Sequence, residues 1–515
     1  MLLGIDLGTS SLRAAVVDEG GHIRGLGQQE YGIDVPRPGW AEQQVDAWWG
    51  AAARATRQAL QQAGVAPATI RGIGLSGQMH GTVLVGAEGD AIAPAIIWAD
   101  ARSTGEAEGI NGLLGTERLA AIAGNRVSPG FMAATLAWLG QHEPRLLGSA
   151  HYALLPKDYL RLRMTGEATA EPSDASASLL FDITKWQWSQ VLVDAAGVDS
   201  RLLPPLVPSA AVAGRLQAAA AEELGLLPGM PVVAGAGDQA AQAVGNGIIE
   251  ETQASSTIGT GGQVLQPCRR PAPDSRLRVH CFCHAAPHTW YLMGAMLSAG
   301  LSLRWWRDIL GLTGPEAYAS LGAEAAIVPP GAEGLLFLPY LLGERTPHMD
   351  ADARGAFIGL TLRHGRGHLA RAIMEGVTFA LRDGLEVLSK LAPRPRRLVA
   401  SGGGAKSRLW VQIQADVLGL PITTVVGEER AVVGAAMLAG IGTGVFDGFE
   451  QARQSCVAYG GIVQPDRDRE PLYTAVFEQY LSLYPALRDH LHALSQSEHK
   501  RLARESQHPE SGEQK

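Results

Sequence analysis

Leu2-Leu3-Gly4-Ile5-Asp6-Leu7, the turn Gly8-Thr9-Ser10-Ser11, and Leu12-Arg13-Ala14-Ala15-Val16-Val17 together decide the reading of the fold. An apolar run ends at a carboxylate, bends through small polar residues, and resumes as a segment rich in Ala and Val. Asp18-Glu19-Gly20-Gly21 then reads as a hairpin turn into a third strand over residues 22–26. Three consecutive strands form a meander, whereas a dinucleotide-binding unit places a helix directly after its first glycine turn. No G-x-G-x-x-G opens a helix after the first strand, which argues against a dinucleotide-dependent dehydrogenase.

Outward from that start, helical patterns follow. Residues 45–62 carry Trp48, Trp49, Ala52 and Leu60 among Gln and Arg, with Gly64 just past their end. Residues 70–75 read as a buried strand that runs into the turn Ser76-Gly77-Gln78-Met79-His80-Gly81. Pro204-Pro205 and an alanine-rich run near Ala218 precede another apolar strand over residues 231–236. The second half echoes the first, because Leu7-Gly8-Thr9 recurs as Ile258-Gly259-Thr260 in a similar turn. The match is short, yet its central placement favours two similar halves, although 515 residues would accommodate about three domains. The expected division is residues 1–243, residues 244–490 and a polar, unstructured tail over residues 491–515.

Composition narrows the class. The chain is 46% hydrophobic and 18% charged, as a globular protein is. Its net charge of -8 argues against sequence-independent nucleic-acid binding, while backbone amides can still bind phosphate in an acidic protein. Cys268, Cys281, Cys283 and Cys456 are too few for a disulfide scaffold. The apolar start stops at Asp6, and no run reaches the roughly 20 apolar residues of a membrane span, so the expectation is a cytoplasmic protein.

Three glycine-rich segments are candidate phosphate or nucleotide loops: residues 6–11, 259–262 and 401–407. Close backbone approach, free amides and hydroxyls are what such a loop needs, and Gly, Ser and Thr supply them. None has the Gly-Lys-Ser/Thr of a P-loop. Asp6 ends a strand beside the first loop, where a carboxylate could hold Mg²⁺ through water. Gly402-Gly403-Gly404 follows the apolar strand at 398–400 and precedes a helix from about Ser407, a plausible adenosine floor. Asp238, in Gly235-Ala236-Gly237-Asp238-Gln239-Ala240, is the candidate base, although Asp there can equally cap the helix that follows.

These three loops resemble the phosphate and adenosine motifs of the FGGY carbohydrate kinases, and the resemblance runs from Leu3 to about Tyr484. It implies an α/β chain of two ribonuclease-H-like (actin-like ATPase) domains with an interdomain active-site cleft. It further implies ATP and Mg²⁺ as cofactors, with Gly8, Thr9, Ser10, Ser11 and Arg13 at the phosphates. Gly259, Thr260 and Gly261 would join them, with Gly300 and Arg304 approaching the nucleotide. Arg304 stands where a Gln is expected in glycerol-phosphorylating members. Gly403, Gly404, Ala405 and Ser407 would lie at the adenosine, and Asp6 and Asp238 at the metal.

Residues 74–81 resemble the sugar loop of family members that act on D-xylulose, and Gln78, Met79 and His80 would then contact the ketose. Residues 98–102 resemble the family's Trp-x-Asp-x-Arg stretch, implying Trp98, Asp100 and Arg102 at the sugar; read without the family, Asp100 and Arg102 are a surface ion pair. Gln239 replaces an Asn found beside the base in some members. Residues 155–160, 171–175 and 337–347 resemble further family segments. The implied reaction is transfer of the γ-phosphoryl group to D-xylulose in pentose catabolism, with Asp238 as general base and Asp6 beside it. The implied partners are a small sugar and ATP, with neither nucleic acid nor membrane; a homodimer stays open. Another ketopentose or polyol, such as L-ribulose or L-xylulose, is the nearest alternative acceptor. An actin- or chaperone-like ATP-driven binding protein is a more distant one.

His280-Cys281-Phe282-Cys283-His284 packs four metal-ligand types into five residues, but structural zinc sites use wider cysteine gaps. As a strand it would turn His280, Phe282 and His284 one way and both cysteines the other. A buried strand is the expectation.

Overall fold

The computed structural model describes the backbone of residues 1–507 and the side chains of residues 1–497. The meander forms as β1 (Leu2–Leu7), β2 (Ser11–Val17) and β3 (Ile23–Glu30), the last running further than expected. Helix α1 (Val45–Ala63) ends on Gly64 in the left-handed conformation, and covers the sheet with Trp48, Ala52, Ala55 and Ala59. Leu3, Ile5, Leu12, Ala14 and Val16 supply the matching apolar face. The strand expected at 70–75 starts three residues later and ends two residues later, as β4 (Ile73–Gly77). Edge strand β5 (Val212–Arg215) pairs with β6 (Pro231–Val233), and the expected strand at 231–236 is split, resuming as β7 (Ala236–Gly237). The split falls where the Ala234 carbonyl turns to accept the Arg161 guanidinium at 2.9 Å.

β1 is antiparallel to β2 and parallel to β4, and β4 is parallel to β7. The carboxyl ends of three parallel strands therefore come together, with Asp6, Ser76 and Ala236 in one row across the sheet. Ligands of open α/β sheets bind beyond such ends.

The echo at 251 residues' offset is a repeated fold element. β8 (Gln253–Ile258) and β9 (Gly262–Cys268) form a second antiparallel hairpin, and β8 runs parallel to β10 (Arg397–Ser401) as β1 does to β4. The turn after β1 closes with Gly8 N–H on the Ser11 carbonyl, and the turn after β8 closes with Gly259 N–H on the Gly261 carbonyl.

Two compact units result, and they are discontinuous where the sequence suggests contiguous halves. One holds Met1–Glu251, Gln266–Leu292 and Val425–Tyr459; the other holds Thr252–Leu265, Met293–Thr424 and the chain from Gly460 onward. Helix α2 (Arg430–Gly442) belongs to the first unit because its backbone lies directly on β4: a Cβ on Gly74 would stand 1.8 Å from the Ala435 carbonyl oxygen. That approach was invisible as a contact in sequence.

The expectation of an unstructured tail from 491 is corrected. Helix α3 (Glu470–Gln507) runs through it, and Leu491 is buried. His492 meets Asp350 at 2.7 Å and Ser495 donates to Asp352 at 2.6 Å, which anchors the segment despite its polar sequence. Residues 508–515 of that expected tail lie outside the described residues. Among the described residues no helix is long and apolar enough to cross a membrane.

Candidate active site

Asp6 stands at the end of β1, and the Ser76 hydroxyl from the neighbouring strand donates to its carboxylate at 2.7 Å. Burial pushes the Asp6 carboxyl above its ordinary range, partly offset by that hydroxyl and by Arg13, its partner across β2. Arg13 itself pairs with Glu429 at 3.1 Å. Asp238 is half-buried and opens the helix Asp238–Gly245 directly after β7. Burial and the negative charge of Asp6 push its carboxyl up to about 7, while the backbone and side-chain amides of Gln239 hold it down. Two buried carboxyls of raised proton affinity, with the charge of Asp6 acting on Asp238, fit a hard divalent cation, which would relieve their repulsion. Mg²⁺ in particular takes one or two carboxylates and fills its remaining positions with water and phosphate.

The first loop is braced by residues that sequence reasoning missed. Gln43, buried on its short strand, donates to the Thr9 carbonyl at 2.7 Å, and the Tyr31 hydroxyl donates to the Gly8 carbonyl. Tyr31 N–H also reaches the Ser10 carbonyl at 3.1 Å. The only sequence signal for Gln43 is a polar residue beside the apolar start of α1, which is too common to use.

Gln78 is buried, and its amide donates to Gln43 at 2.9 Å, so it reaches the first loop through Gln43. Met79 is buried against β7: a Cβ on Gly237 would meet its Cγ at 3.0 Å. His80 adopts a positive φ of 76°, donates through Nδ1 to the Ala177 carbonyl at 2.8 Å, and stacks on Phe131 with ring centroids 3.7 Å apart. Phe282 lies tilted beside it at 5.9 Å. Phe131 and Phe282 are distant in sequence, and no local pattern marked either.

Trp98 keeps about a third of its surface exposed, and its indole N–H donates to the Thr9 hydroxyl at 2.9 Å. Asp100 and Arg102 differ from expectation. Asp100 accepts from the Arg102 backbone at 2.8 Å, from its guanidinium at 2.8 Å and from Ala41 N–H at 2.6 Å. Arg102 also meets Glu42 at 2.6 Å and lies 3.6 Å over the Trp40 ring. With side-chain exposures of 0% and 4%, the pair is buried, not on the surface, and its hydrogen bonds point into the protein. These contacts hold residues 40–42 in place.

Beneath Met79 lies a second set of charges. Lys157, Asp158, Arg161, Glu171 and Asp174 are all fully buried. Lys157 meets Asp158 at 2.5 Å and Asp174 at 3.5 Å, and Arg161 meets Asp158 at 2.8 Å. Glu171 accepts from Ser173, Asp174 N–H and Ser209. Neither carboxyl oxygen of Asp174 has a hydrogen-bond partner, and burial pushes that group well up. Three acids face two cations here, and burial raises the proton affinity of Asp174 against the opposing pull of Lys157. The Ser173 hydroxyl accepts Gly237 N–H at 3.1 Å, tying this layer to the strand end that carries Asp238.

In the second unit the other two loops come together. The helix Gly300–Ile309 begins against the turn after β8: Gly300 N–H donates to the Gly259 carbonyl at 2.9 Å, and Leu301 N–H to Thr260 at 3.1 Å. A Cβ on Gly300 would stand 2.3 Å from the Gly259 oxygen, so only glycine fits. Arg304 reaches the Thr260 hydroxyl at 3.3 Å. Gly403, Gly404 and Ala405 form a 3₁₀ turn after β10, close over Ile258, and Ser407 caps the helix Arg408–Leu418 by accepting Trp410 N–H at 3.3 Å.

The strand expected around residues 280–284 forms over His280–Cys283, with His280 stacked on Phe282 on one face. Both ring nitrogens of His284 are engaged, with the Ile248 carbonyl and Ala286 N–H, and burial holds that ring down to about 4. Burial pushes the Cys281 thiol up to about 12. Neither has the chemistry of an available ligand.

Family comparison agrees along the chain. The model for the N-terminal domain of the FGGY family of carbohydrate kinases matches residues 1–245, and that for its C-terminal domain matches residues 254–443. A xylulose kinase of Staphylococcus epidermidis is 36% identical over 487 residues, covering 95% of this chain and 96% of that protein. The xylulose kinase of Escherichia coli K12 is 38% identical over 442 residues, covering 86% and 90%. The crystal structure of xylulose kinase from Rhodospirillum rubrum superposes with a TM-score of 0.88 at 32% identity, over 95% of this chain and 99% of that one.

Proposed function

The chain belongs to the FGGY family of carbohydrate kinases and is an ATP-dependent sugar kinase, and we propose that its acceptor is D-xylulose, converted to D-xylulose 5-phosphate. The observation that carries the choice of sugar is the near full-length similarity to proteins named xylulose kinase. The buried Met79 and aromatic-stacked His80 beside Asp238 support it as a shaped, partly apolar wall for a small polyol.

Asp238 orients the terminal hydroxyl and accepts its proton as the hydroxyl oxygen bonds to the γ-phosphorus and ADP leaves. A carboxyl with a proton affinity near 7 suits that work, since about half of it is ionised at neutral pH and it is basic enough to take a proton. Each unit carries a turn whose amides and hydroxyls suit phosphate, Gly8-Thr9-Ser10 in the first and Gly259-Thr260-Gly261 in the second, where Arg304 adds positive charge. Residues 402–405 offer a flat backbone surface to the adenosine. Asp6 and Asp238 would hold Mg²⁺ through water, and the cation would supply charge neutralisation at the phosphates.

Asp238→Asn tests the base. The variant should bind ATP and ketose normally and lose about a hundredfold or more in turnover. Near-normal turnover would reject the assignment.

A further inference from the structure

Glu344 lies in the second unit and takes no part in the chemistry above. It is 2% exposed, in a loop between the strand Leu336–Leu338 and the strand Ala356–Ile358. One carboxyl oxygen, Oε1, accepts Arg345 N–H at 2.7 Å, and the carboxyl also accepts Leu297 N–H. The other, Oε2, has no partner. Two residues on, Thr346 N–H donates to the Ala295 carbonyl at 2.9 Å and its hydroxyl accepts Ala295 N–H at 3.1 Å. The loop therefore grips residues 295–297 at both ends.

Residues 296–301 are what the Gly259-Thr260-Gly261 turn rests on. A Cβ on Gly261 would stand 2.8 Å from the Met296 carbonyl oxygen. Ala299 N–H and Leu301 N–H both donate to the Thr260 carbonyl, at 3.0 and 3.1 Å, and Gly300 N–H donates to Gly259. Glu344 is thus one hydrogen bond from the backbone that seats the turn. Burial pushes its carboxyl up to about 8, with Arg345 opposing and Asp383 reinforcing that rise, which favours the protonated form that an amide resembles.

We propose that Glu344 is a positioning residue for the nucleotide, fixing residues 295–300 so that the Gly259-Thr260-Gly261 turn is preformed for phosphate. The proposal rests on the reading of that turn as a phosphate loop, and it does not depend on which sugar is the acceptor. A loop held in one conformation binds without an ordering cost; release of the Leu297 amide would impose that cost on each nucleotide bound.

The test is calorimetric titration of the full chain with Mg-ADP, alongside steady-state KM values for ATP and D-xylulose. Glu344→Ala should weaken ADP about tenfold and raise the KM for ATP in step, leaving the KM for the ketose unchanged. Glu344→Gln keeps the Oε1 acceptor and should recover most of the affinity. Thr346→Val, which removes the second grip with less disturbance of the core, should weaken ADP in the same direction and keeps the question answerable if Glu344→Ala does not fold. Equal losses in both KM values, unchanged ADP affinity, or no recovery in Glu344→Gln would each overturn the proposal. Wild-type protein that binds ADP but ignores D-xylulose would instead overturn the choice of acceptor alone.

Discussion

Trp98 and Thr9 are joined side chain to side chain, the indole N–H donating to the hydroxyl at 2.9 Å. One comes from the segment proposed for the sugar and the other from the turn proposed for phosphate, so a change at either should be felt by both substrates. Trp98→Phe keeps the ring and removes the donor. It should lower kcat/KM for ATP and for ketose together by about threefold to tenfold. Thr9→Val should do the same, and the double variant should be less than additive, as one shared bond requires.

Asp238 should cost the unliganded protein stability as pH rises. Its carboxyl titrates near 7 in the folded chain against an ordinary 3.8, so the folded state binds the proton more tightly than the unfolded state does. Stability from this group is full below the ordinary value and is lost as pH rises through about 7. Asp238→Asn carries no such charge. In urea denaturation without nucleotide and with chelator, the variant should match wild type near pH 4 and exceed it at pH 8 by on the order of 2 kcal/mol.

Arg102 should prove structural. Its guanidinium is satisfied by Asp100, Glu42 and the Trp40 face, and removing it leaves Asp100 buried without its cation. Arg102→Ala should destabilise the fold by about 3 kcal/mol, read as a lower denaturation midpoint. A large rise in ketose KM without loss of stability would restore the sugar-binding role that its motif suggests.

Gly300 should tolerate no side chain. Gly300→Ala drives a methyl into the Gly259 carbonyl oxygen, displacing either the turn or the helix start. Steady-state measurements should show about a hundredfold loss in kcat/KM for ATP, with ketose affinity retained.

Much of this was legible because the decisive signals are local. Strand–turn–strand at Asp6 separates this fold from a dinucleotide-binding one within about a dozen residues, and Leu7-Gly8-Thr9 against Ile258-Gly259-Thr260 marks two hairpins that do recur. Asp238 could be named because its small neighbours and a helix start leave a trace in sequence, whereas Gly300 was named only through the family resemblance. What was hidden depends on long-range packing. Gln43 braces the Thr9 carbonyl across 34 residues, and Phe131 and Phe282 enclose His80 from separate segments. Asp100 and Arg102 show the converse: the ion pair was readable, but its burial under Trp40 was not. The helix Arg430–Gly442 joins the first unit through glycine contacts that no periodicity records. The polar stretch after residue 491 is held by Asp350 and Asp352, partners more than a hundred residues away.

ADP release, coupled to a spectroscopic signal and run over a panel of pentuloses and polyols, bears most directly on the central claim. D-xylulose should raise ADP release well above the sugar-free background and give the highest kcat/KM of the panel. Background release with D-xylulose, beside strong stimulation by another sugar, would contradict the acceptor assigned here.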